Sequence, residues 1–118
     1  MAQALDKIRR EASEELLDFL GRVGSLPGVE VGASPVDRLV WIRIDNDDVV
    51  GVRIGLECAG DVTLVLNNGS EVEVADCSQF LYARVGNTDY NIGDAYLEGI
   101  EMRDGVWEIT LRLPKPMA

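Results

Sequence analysis

The chain has no histidine and only two cysteines, Cys58 and Cys77, among its 118 residues. Without imidazole, histidine-based triads are excluded, as are most zinc sites. Neither cysteine has a base beside it to activate a thiolate, so both read as reduced thiols. Basic side chains are scarce too, with 11 lysines and arginines against 21 aspartates and glutamates and a net charge of −10. Phosphate-directed binding needs clustered Lys and Arg, so no nucleic-acid partner is expected. No run approaches the ~18 apolar residues of a membrane span. The opening Met1-Ala2-Gln3-Ala4 leads into a charged segment without an apolar signal core, so no membrane association is expected and the chain reads as cytoplasmic. A nucleotide loop and a metal-ligand cluster are also missing, so neither cofactor nor metal is expected. The residues carry the motifs of no family.

What is present is a change of hydrophobic period at Pro27-Gly28. Before it, Leu5, Ile8, Ala12, Leu16, Phe19, Leu20 and Val23 recur at helical spacing and predict one amphipathic helix over 5–23. After it, alternation predicts strands at 29–32, 36–44, 49–58, 62–66, 71–75, 79–85, 95–103 and 106–113. The expectation is a single α+β domain over 1–118: an N-terminal helix packed on a curved, mostly antiparallel meander of about six to eight strands, up to a partly open barrel, with a β region at 29–113 and a short tail at 114–118. The β region holds nearly all the excess negative charge.

Turn chemistry and parity fix several registers, because facing residues must share a sheet face. Asp104-Gly105 has the type I′ preference and pairs Met102 with Trp107 and Ile100 with Ile109. A three-residue Asn67-Asn68-Gly69 loop pairs Leu64 with Val72 and Val62 with Val74. By the same logic a loop at Asn46-Asp47-Asp48 pairs Ile44 with Val50 and sets Trp41 opposite Arg53. Gly86 to Asp94 is expected to be the one long irregular segment, the first place to look for function.

Candidate sites follow from these registers. Glu101 faces Glu108, a like-charge pair of the kind used in acid/base chemistry, although Arg103 lies diagonal to Glu108 and could neutralise it. With Asp89 of the irregular segment, these two are the catalytic candidates. Asn87, Asp89, Asn91 and Glu98 partly match a calcium loop, but Ile92 stands where that loop requires glycine, so metal binding is not expected. Trp41, Leu39, Phe80, Tyr82 and Arg53 are the binding candidates, projecting from the sheet face away from the helix, where Gly51 and Gly55 on the adjacent strand leave room for large neighbours. Such a face is either a second small core or a surface covered by an identical chain.

The leading functional expectation is a non-enzymatic binding or interaction protein, working as a homodimer through the apolar sheet face or a cavity between helix and sheet, with a small apolar ligand as one occupant. One alternative is an acidic inhibitor or immunity-type protein that masks a basic protein partner. The other is a small carboxylate-dependent enzyme.

Overall fold

The computed structural model describes residues 6, 8–55, 61–77, 80–93 and 95–114. Helix α1 (Glu14–Gly24) precedes nine strands: β1 (Val29–Ser34), β2 (Leu39–Asp45), β3 (Val49–Ile54), β4 (Val62–Leu66), β5 (Glu71–Cys77), β6 (Phe80–Val85), β7 (Thr88–Asn91), β8 (Tyr96–Arg103) and β9 (Val106–Arg112). The class is α+β, as expected. The strands form two antiparallel sheets, ordered β1-β2-β9-β8 and β3-β4-β5-β6-β7 and not closed into a barrel, rather than a single meander.

The helix is shorter than its apolar stripe. Asp6 and Ile8 are helical, the backbone turns at 9–12, and α1 starts afresh where Ser13 Oγ accepts a hydrogen bond from Leu16 N at 3.2 Å. Ser13 is thus an N-cap, followed by Glu14 and Glu15 in the first turn, where the helix dipole favours negative charge. Leu16, Phe19, Leu20 and Val23 are fully buried, and Ile8 reaches the same core from across the break. Leu5 lies outside the described residues. No helix among the described residues is long and apolar enough to cross a membrane.

α1 packs on β1 of the first sheet and on β6 and β7 of the second. The Phe19 ring lies 5.7 Å from that of Tyr90 on β7, and the Glu15 carboxylate accepts a hydrogen bond from the backbone N–H of Asn91. Edge strand β7 is thereby covered by the helix, which blunts an otherwise open row of backbone donors.

Both hairpin registers with the strongest turn signals are as predicted. Met102 pairs with Trp107 and Ile100 with Ile109 across Asp104-Gly105, whose φ values of 54° and 79° are both left-handed. Leu64 pairs with Val72 and Val62 with Val74.

The third register is different, because β2 pairs with β1 and β9 while β3 pairs with β4. Trp41 therefore faces Gly32 and Thr110, not Arg53, and Ile44 faces Val29 and Trp107, not Val50. Asn46–Asp48 is one turn of 3-10 helix, capped by the Asp45 carboxylate accepting from Asp47 N at 2.9 Å, and it hands the chain to the second sheet.

Residues 86–94 are not irregular throughout either. Gly86, with φ +59°, opens a two-residue turn in which Val85 pairs with Thr88, and β7 follows. Ile92 is fully buried. The expected strand ends at 56–58, residues 78 and 79, and the tail at 115–118 lie outside the described residues.

Candidate functional site

Parity distributes the candidate residues over two outer faces instead of one. On the first sheet, Glu30, Arg43, Glu108 and Glu101 form one cross-strand row and Gly32, Trp41 and Thr110 the next. Leu39 pairs with Arg112, which also pairs with Tyr96. On the second sheet, Arg53, Thr63, Glu73, Arg84 and Asp89 form a row across all five strands. Tyr82 lies two residues from Arg84 on the same face, between Ala75 and Asn91. Phe80 pairs with Cys77 in the backbone, and its side chain lies outside the described residues.

Trp41 is half-buried. Its indole rests on Gly32, where any Cβ would overlap the ring, and the Arg43 guanidinium sits 4.9 Å from the ring centroid on a cation–π contact. The indole N–H is buried without an acceptor among the described residues. The room for this side chain comes from β1, not from Gly51 or Gly55: Gly51 approaches Val65, and the Asp61 carboxylate occupies the space above Gly55.

Glu101 and Glu108 do face each other, and each has its own cation. Arg43 Nε donates to Glu108 at 2.7 Å, Arg103 pairs with Glu101, and Arg112 pairs with Glu98. Glu108, expected to be neutralised by Arg103, is held by Arg43 instead. A groove of about 250 Å³ runs over the Arg43–Glu108 and Arg103–Glu101 pairs. Chemically this is a compensated polar surface, each carboxylate facing its own arginine.

The second face is more tightly connected. Arg84 bonds Glu73 at 3.2 Å and Glu71 at 3.4 Å, Glu71 also pairs with Arg53, and Thr63, the buried polar side chain of the described core, donates to Glu73 at 3.2 Å. Burial would raise the Glu73 carboxyl; the hydrogen bonds it shares with Asp61 and Arg84, the Arg84 charge and the Thr63 hydroxyl outweigh it and hold Glu73 below its usual range. Burial likewise works against the Arg84 cation, and its bonds to Glu73 and Glu71 carry it above the usual value.

Asp89 lines a depression of about 330 Å³ here with Asp61, Glu73, Tyr82 and Arg84. It is therefore on a different sheet from Glu101 and Glu108, and the three catalytic candidates do not converge. Nor do the calcium-loop candidates: Asp89 and Asn91 are on β7, while Glu98 is on β8 in its ion pair. No group of three or more acidic or cysteine side chains suited to a metal ion exists among the described residues.

Cys77 borders the same depression and is disulfide-bonded, contrary to the reduced thiol expected. The sequence has one other cysteine, Cys58, which is outside the described residues. In the chain, Cys58 precedes β4 and Cys77 is the last residue of β5.

The surface that the sequence did not single out is edge strand β3. Val52 and Ile54 pair with Leu64 and Val62, which puts them on the core side of the second sheet, yet they are 42% and 74% exposed. Val50, at the bulge between Val49 and Gly51, is exposed as well. A signal was present: residues 49–55 contain no aspartate or glutamate, in a chain that averages one in fewer than six residues.

Comparison with protein-family models, curated proteins and solved structures yields no match.

Proposed function

We propose that this is a non-enzymatic binding or interaction protein that works as a homodimer, with β3 as the self-association strand. The observation that carries the reading is the pair Val52 and Ile54, which face the core side and are left uncovered. A second β3 running antiparallel would supply the missing backbone hydrogen bonds and cover both side chains, extending the sheet across a two-fold axis. Charge directs such a contact to β3 rather than to another edge. Two molecules at −10 repel, and the other three sheet edges each carry acid: Glu30 on β1, Asp89 on β7, and Glu98 and Glu101 on β8. β3 carries only Arg53, already paired with Glu71.

The sequence points to the cytoplasm. The disulfide at Cys77 weighs the other way, because disulfides are rare in reducing compartments.

Sedimentation velocity tests the assembly. Wild-type protein should sediment as a dimer and Ile54→Glu as a folded monomer, because Ile54 is mostly exposed in the single chain and the new charge would have to be buried in the contact. A monomeric wild type at high concentration overturns dimerisation. A Trp41→Glu monomer beside a dimeric Ile54→Glu would place the interface on the outer face of the first sheet instead.

A further inference from the structure

The arginines of the two sheets divide in a telling way. Arg43, Arg53, Arg84, Arg103 and Arg112 each hold a carboxylate. Arg38, half-buried in the turn between β1 and β2, holds none among the described residues: its Nη2 donates to the Leu113 carbonyl at 3.3 Å, and its buried Nε–H has no acceptor among them. In a chain with nearly two acidic residues for each basic one, a cation left in this state is unusual. Its backbone is also held at φ +56°, a left-handed conformation that glycine or asparagine adopts more readily than arginine. Leu113 N closes the clasp by donating to the Arg38 carbonyl at 2.8 Å.

Arg38 lines a groove of about 620 Å³ at the end of the first sheet, where the β1–β2 turn, the start of β8 and the end of β9 meet. That volume lies within the range of small-molecule sites. Its walls include Val36, 92% exposed, and Tyr96, 63% exposed, which offer an apolar body uncovered surface to pack on. Arg112, the second cation of the groove, is committed to Glu98. Asp37 accepts from the Ser34 hydroxyl and sits at the rim, which disfavours a ligand with more than one negative charge.

We infer that this groove binds a small monocarboxylate with an apolar body, the carboxylate on Arg38 and the body between Val36 and Tyr96. A carboxylate matches the guanidinium fork in charge and planarity, and it gives Arg38 the counter-ion that the other five arginines have. The groove is separate from β3, so this inference stands apart from the dimer.

Amide and arginine side-chain NMR during titration tests it, with 4-phenylbutyrate as probe and 4-phenylbutanol as its uncharged counterpart. The acid should give saturable shifts at Arg38 Nε–H and around Tyr96, and the alcohol should bind at least tenfold more weakly. Arg38→Gly, which suits the backbone, should remain folded and lose the response. Tyr96→Ser, at an exposed position, should weaken binding several-fold. The Ile54→Glu chain should bind as wild type does, which separates failure of the dimer from failure of the groove. Equal binding of acid and alcohol, shifts confined to other surfaces, or undiminished binding by Arg38→Gly each overturn the assignment.

Discussion

On the outer face of the first sheet, Arg43, Arg103 and Arg112 each serve one carboxylate, and the side chains in these pairs are 36% to 72% exposed. On the second, Arg84 serves Glu71 and Glu73 together, and the three side chains are 27% to 30% exposed. The same residue types are thus arranged as separate pairs in one place and as a shared network in the other. Water screens the first arrangement and pays no attention to geometry; in the second, shielding and sharing make each bond depend on its neighbours. In the second, the Glu73 carboxyl is held below its usual range.

Three substitutions bear on this contrast. Arg84→Met should have the largest effect, a loss of about 1–3 kcal/mol in urea unfolding, because it leaves partly buried Glu73 with hydrogen bonds but no cation. The contrast breaks if the loss is no larger than that of a surface pair. Glu73→Gln should come next, at about 1 kcal/mol near neutral pH. Its signature is the pH dependence. The folded carboxyl titrates below its ordinary value of 4.5, so its contribution is complete above that value and is lost as pH falls through the lowered one. Wild type should therefore lose its margin over Glu73→Gln on acidification below about pH 4.5, and urea midpoints that stay a constant distance apart would show that Glu73 is not shifted. Arg103→Ala should have the smallest effect, a urea midpoint indistinguishable from wild type, because its pair with Glu101 is in open solvent. A clear drop there would mean that the first face is also a network.

How much of this was legible in the sequence depended on whether local chemistry had one solution. Asp104-Gly105 and Asn67-Asn68-Gly69 admit one register each once parity is imposed, and both are found. Asn46-Asp47-Asp48 admits two, since the same Asx residues that close a hairpin also cap a single helical turn, and Asp45 does the latter. The helix break is invisible to periodicity because Ile8 and Leu16 keep compatible spacing across 9–13 while Ser13 restarts the hydrogen-bond ladder. At the candidate sites, alternation assigned Trp41 and Tyr82 to outward positions. It could not assign them to different sheets, nor reveal that Gly32 of a strand expected to be short makes the bed for the indole. Val52 and Ile54 read as core from their register, and only the layers show that the core stops short of them.

The strand order also sets a clock. β3 to β7 pair in the order in which they are made, through turns of a few residues between β4 and β5 and between β6 and β7, so the second sheet can assemble from local contacts. The first sheet cannot, because β2 needs β9, and Arg43 and Glu108 are 65 positions apart. At 5–20 residues per second, synthesis separates the two by about 3 to 13 seconds. During that interval the β2 edge that β9 later occupies is open along Val40, Ile42 and Ile44. What that edge meets first is decided by the order of synthesis, and a chaperone or a neighbouring nascent chain has those seconds in which to reach it.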